Sequence, residues 1–153
     1  MPTLHRSDHA KGIEPTPYPD CAGQLVAVRT TFSFPAAIAA GDIVEMAVLP
    51  PNCRIVDAIL DSDDLDSDGT PAITLDVGVM SGEAGKDDSA RTCGAELFDD
   101  STVAQAGGLA RPTLKTAVRI APTNEQRGIG IKVATVADVG VVGTVGLTLF
   151  YTA

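Results

Sequence analysis

The chain has 153 residues, with 20 acidic against 11 basic side chains for a formal net charge of −9, and only 4% of its residues are aromatic, none of them tryptophan. That length suits one domain able to bury a usable core without covalent staples, and the charge excludes a surface that neutralises nucleic-acid phosphates, which needs clustered Lys and Arg. With few aromatics the core must be built from Val, Ile, Leu and Ala, and 15 glycines and 10 prolines set between short β-branched runs favour an all-β sandwich or barrel over a helical bundle.

Residues 1–24 hold four of the ten prolines and show no period of 2 or 3.6. They are expected to form an extended arm attached to a sandwich domain over 25–153. Pro15, Pro17 and Pro19 fix their own φ angles and push their neighbours toward extended conformations, so Glu14 to Asp20 reads as polyproline-like. His5 and His9, the only histidines, would share one side of a helix, but Pro2 and the charged flanks assign them to a mobile arm and not to a metal site.

From Leu25 the pattern changes. Val26, Val28, Thr30 and Phe32 alternate with Ala27, Arg29 and Thr31 up to Pro35, which predicts a strand. Three more follow at about 42–49, 53–61 and 72–80, with Pro50-Pro51-Asn52 and an acidic Asp-Gly turn between them. In the third, Ile73, Leu75, Val77 and Val79 lie on one face and Thr74, Asp76 and Gly78 on the other. The 53–61 run is less clean: Ile55 and Ile59 fall on one face and Val56, Ala58 and Leu60 on the other, as if both were covered.

Residues 81–111 lose the alternation and read as a long polar contact loop, with one short helix expected near 95–104. Strands return at 114–121, 128–136 and 143–152, the last two with clear alternation (Ile129, Ile131, Val133; Val145, Leu147, Leu149, Tyr151). About seven strands in all point to an antiparallel β-sandwich.

Little of this carries chemistry. Asp64, Asp66 and Asp68 followed by Gly69 match the opening of a calcium loop, but the position that would need a bidentate Glu is Leu75 and neither flank is helical. An acidic turn is the better reading, with Asp64, Asp66 and Asp68 as weak candidate ligands and a calcium-dependent binding module as a rival. The adjacent pairs Asp63/Asp64, Asp87/Asp88 and Asp99/Asp100 read as solvated loop charges. No nucleophile elbow, P-loop, dinucleotide fingerprint or HExxH occurs, so no enzyme and no cofactor is expected. Cys21, Cys53 and Cys93 are odd in number and widely spaced, which fits free thiols. No apolar run is long enough for a membrane span and no secretory h-region is visible, so a cytoplasmic origin and no membrane partner are expected.

The runs GDIVEMAVLPPNCRIVDAILDSDD, GTPAITLDVGV and the closing GTVGLTLFYTA together resemble small structural proteins of tailed-bacteriophage heads, the decoration (cement) and minor capsid proteins. The resemblance covers residues 41–79 and 143–153. It implies a β-sandwich, jelly-roll-like by analogy, that binds the outer surface of a phage capsid, bridges major capsid protein subunits and commonly forms a homotrimer. It also implies a place in the virion after assembly in the host cytoplasm. It transfers no catalytic residues. On this reading the first candidates for capsid or inter-protomer contact are Ile13, Pro15, Pro17, Tyr18 and Pro19 of the arm, then Leu97 and Phe98 of the long loop. A tail, fibre or head-fibre component that binds a host surface or glycan is the alternative.

Overall fold

Residues 2–153 are described by a computed structural model, whose regular structure is almost all strand. These are β1 (Leu4–Arg6), β2 (Val26–Phe34), β3 (Ile43–Leu49), β4 (Arg54–Ser62), β5 (Thr74–Val79), β6 (Phe98–Ser101), β7 (Gly108–Ala110), β8 (Arg127–Thr135) and β9 (Gly143–Thr152). They form a five-stranded sheet in the order β1-β3-β8-β5-β6 and a four-stranded sheet in the order β2-β9-β4-β7. All pairings are antiparallel except β1 with β3.

The alternations seen in the sequence set the core. Leu75 and Val77 of β5, Ile129, Ile131 and Val133 of β8, and Val145, Leu147, Leu149 and Tyr151 of β9 all point between the sheets, joined by Val44, Met46, Leu49 and Phe34. Bulges explain where simple alternation fails. In β4 a register shift lies between Ile55 and Asp57, so Ile55, Ala58 and Leu60 all enter the core while the bulged Val56 stays exposed. One extra residue thus reverses the phase of the strand, which is why its apolar residues read as covering both faces. A second bulge between Glu45 and Ala47 does the same in β3, every residue of which is buried.

Three expectations change. The run 114–121 is not a strand: a 3₁₀ turn spans Lys115–Val118, with Ala117 buried as its anchor, because apolar residues at 114, 117, 118 and 120 follow a tight turn and not a pleat. The helix expected near 95–104 is instead strand β6 followed by a 3₁₀ turn at Val103–Gln105. Within residues 2–24, Leu4–Arg6 extends the five-stranded sheet, and Ser7, His9 and Ala10 are buried, with the Ser7 hydroxyl donating to the Met46 carbonyl. The His5 ring packs at a tilt against Phe32 of the other sheet, with centroids 5.5 Å apart. This segment therefore closes the side of the sandwich between β3 and β2, and residues 15–19 continue it without regular structure.

Candidate assembly surface

Strand register sorts the molecule into two ends. Val26 pairs with Tyr151, Arg54 with Thr152, Leu49 with Arg127 and Val79 with Ile129. The starts of β2, β4 and β8 therefore meet the finishes of β3, β5 and β9 at one end. The acidic turn 61–70 and the turn 136–142 form the other.

At the acidic end the carboxylates are spent on their own backbone. Asp66 is buried and accepts N–H groups from Ala72 at 2.8 Å, Ile73 at 3.3 Å, Val139 at 3.2 Å and Asp68 at 3.3 Å. The Ala72 bond above all holds its pKa below the usual Asp value. Asp64 accepts from Asp66 N–H at 2.9 Å and Asp68 from Thr70 N–H at 2.8 Å. The three candidate calcium ligands thus accept from separate backbone N–H groups, and no cluster of three or more His, Cys, Asp or Glu suited to a metal ion occurs among the described residues. No Lys or Arg lies in 61–73 or 136–145.

The other end holds cations. Of the 11 cations, seven sit in ion pairs: Arg6, Lys11, Arg29, Lys86, Arg91, Arg111 and Lys132. The remaining four, Arg54, Lys115, Arg119 and Arg127, have no ion-pair partner among the described residues. Arg54 and Arg127 open β4 and β8 at this end. Lys115 and Arg119 lie in the segment between β7 and β8, whose 3₁₀ turn packs on β4 and whose Thr123 carbonyl accepts the Asn52 N–H at 2.7 Å. Exposed apolar residues accompany them: Tyr18, Leu25, Val56 and Val118. Tyr18 is held there through its hydroxyl on the Pro51 carbonyl at 3.4 Å, and Tyr151 donates to the Pro17 carbonyl at 2.5 Å.

Of the residues expected to make contacts, Ile13, Pro15, Pro17 and Tyr18 are exposed and Pro19 is buried. Leu97 and Phe98 are corrected: both are core residues, 0% and 6% exposed, Phe98 pairing with Val77 at the start of β6 and Leu97 just before it donating its N–H to the Val77 carbonyl. Sequence reasoning missed Arg54, Lys115, Arg119 and Arg127. The available signal was that three of these cations fall within 115–127, a stretch with a single acidic residue, Glu125, in a chain that is otherwise strongly acidic.

Arg91, fully buried, and Arg127, half-buried, show how differently this fold treats a cation. Arg91 is 1% exposed and grips Glu45, 0% exposed, with both guanidinium ends at 2.8 and 2.7 Å. It also donates to the Ser81 and Lys86 carbonyls, while Gly85 N–H caps both Glu45 oxygens at 3.1 Å. This clamp fastens the 81–93 loop over the outer face of β3 and β8, where Gly128 must lack a side chain to leave room for Glu45. Arg127, the next residue back, has its Nε and Nη2 buried with no partner.

No family model matches the chain, and no curated protein does. Among solved structures, a chain from the capsid of Ralstonia phage GP4 superposes with a TM-score of 0.94 at 53% sequence identity, covering 98% of this chain and 97% of that one. The protein belongs to a family of phage capsid proteins. A chain from the capsid asymmetric unit of cyanophage Pam1 is similar at 26% identity and a TM-score of 0.66, over 91% of each chain. A chain from the acidic stable capsid of Helicobacter pylori bacteriophage KHP30 shares the fold, at 13% identity and a TM-score of 0.52, over 85% of this chain and 92% of that one. This capsid protein is accordingly a structural component of a virion, and among the described residues no helix is long and apolar enough to cross a membrane.

Proposed function

We propose that this capsid protein is a decoration, or cement, protein that docks on the outer surface of the shell and bridges major capsid protein subunits, presenting the end that carries Arg54, Lys115, Arg119 and Arg127. The observation that carries this reading is the sorting of charge: an acidic protein answers seven of its 11 cations internally and leaves the other four together, beside exposed Tyr18, Leu25, Val56 and Val118. Apolar area ringed by unpaired charge is what a partner surface covers. The net charge of −9 disfavours contact with packaged DNA and suits the outside of the shell. Burying this end across neighbouring subunits stabilises the joined state over the separated one by mass action, with no chemical step.

A homotrimer is part of the same reading. Threefold contacts are heterologous and close into a ring, and on this reading the exposed residues Ile13, Pro15, Pro17 and Tyr18 make the contact with a sister protomer. We also read the fold as a jelly roll: the order β2-β9-β4-β7 facing β3-β8-β5-β6 fits eight strands in two sheets, with β1 added at one edge.

The test is loading of the purified full chain onto shells prepared without it, with solution mass measured by light scattering. Saturable binding that raises the temperature of shell disruption, from a trimer in solution, is the expected result. Ile13→Ser with Tyr18→Ser probes the arm better than removal of residues 2–24, which would also take away β1 and the buried His9. Absence of binding to shells sinks the decoration role.

A further inference from the structure

The cleft at the start of β8 is lined by Val79, Glu96, Thr116, Arg119, Ile120 and Arg127 and has a volume of about 340 Å³. Its chemistry is unbalanced. Arg127 sends a guanidinium into it with Nε and Nη2 buried and unpartnered, and Arg119 adds a second cation without an ion pair. The one carboxylate present, Glu96, is turned away: its Oε2 accepts the Val79 N–H at 2.9 Å and its side chain lies across Gly78 and Gly94. The Thr116 hydroxyl is occupied by the Glu96 carbonyl at 2.8 Å. Desolvation holds the Arg127 guanidinium below its usual pKa.

A planar guanidinium with its Nε and Nη2 N–H groups free, between the apolar walls of Val79 and Ile120, fits one class of partner group. We propose that this cleft is a socket for an Asp or Glu side chain of a neighbouring capsid chain, whose carboxylate pairs with Arg127 and Arg119 while its methylene stem lies on Val79 and Ile120. A bidentate carboxylate satisfies both orphan nitrogens at once, which a lysine-type point charge could not exploit and a single water would do only in part. The proposal deepens the docking reading above, on which it rests for the identity of the partner. The bound carboxylate fixes register at the shell, and the buried pair is costly to leave half-made, so the contact discriminates against surfaces lacking an acidic group.

The experiment compares wild type with Arg127→Met and Arg119→Met by two readouts. In the isolated protein, wild type should melt about 2 °C higher in about 0.2 M sodium acetate than in sodium chloride of equal ionic strength, as expected for weak binding of a carboxylate to the folded state. Arg127→Met should lose that difference and melt no lower than wild type in chloride. On shells prepared without the protein, Arg127→Met should load at least tenfold more weakly than wild type, and Arg119→Met less so. If wild type fails to load but the acetate effect is present and Arg127-dependent, the socket stands and the decoration role falls. Equal loading of wild type and Arg127→Met, or no acetate effect that depends on Arg127, overturns the socket. Arg119→Met, on the rim, keeps the test open should Arg127→Met fold poorly.

Discussion

Arg91 packs from its loop onto the five-stranded sheet and Arg127 opens β8 of that sheet, and the regions around them have opposite logic. Around Arg91 every polar atom is answered: a bidentate carboxylate, two carbonyls and the Gly85 amide lock the 81–93 loop to the sheet. Around Arg127 two nitrogens are left without a partner in an open cleft. A satisfied buried pair specifies the fold of one chain, whereas an unsatisfied one lowers the stability of the free chain and is repaid when another chain supplies the missing group.

The comparison can be broken first where it is strongest. Arg91→Met leaves Glu45 buried without its partner and should cost about 3–5 kcal/mol of stability by denaturant unfolding, while Glu45→Met with Arg91→Met recovers most of that loss. A double mutant as unstable as the single would mean the loop itself, and not the charge, is what the sheet needs. Next comes Gly128→Ala, whose methyl would overlap Glu45 Oε1 and should cost about 1–3 kcal/mol through displacement of the clamp.

At the acidic end, Asp66 sharpens the contrast through pH. Its folded pKa is lowered by backbone N–H donors, so its contribution is present above the ordinary Asp value and is lost as pH falls through the folded value. Asp66→Asn should therefore melt below wild type at neutral pH, with the gap closing in acid. A gap that stays constant down to strongly acidic pH would contradict the assignment. The smallest effect is expected on the outer face of the four-stranded sheet, where Arg29 and Asp61 meet at 2.6 Å with side chains 53% and 30% exposed. Removing that pair should change stability by about 0–1 kcal/mol in a double-mutant cycle, and a larger coupling would mean this face is less open to solvent than its exposure indicates.

How much of this was legible beforehand depends on the element. β2, β5, β8 and β9 were readable because one face of each strand is apolar and the period of two survives, and β3 was located although its bulge changes the face that enters the core. β4 was located, but its faces were not, since a bulge is a backbone event with no fixed residue signature. β1, β6 and β7 have three or four residues each, too few for a period, and β6 reads Phe-Asp-Asp-Ser with one apolar residue to reveal it. The candidate surface was harder still. Glu45 reads as an outward residue of an alternating strand, and only Arg91, remote in sequence, shows that outward is also buried. Arg127 reads as a polar residue ahead of a strand, and its lack of partners depends on where Glu96 and Thr116 turn. The phage-head resemblance came from the packing runs 41–79 and 143–153, which carry the fold and contain only Arg54 of the four unpaired cations.

The central claim is that the end bearing Arg54, Lys115, Arg119 and Arg127 faces the shell. Hydrogen exchange of the protein bound to shells, compared with the free protein, tests it most directly. The account predicts slowed exchange of amides in 50–56 and 112–127, with 61–70 and 138–142 unchanged. Protection of the acidic turns around Asp66 and the exposed Val139 and Val142, with 112–127 unaffected, would contradict it.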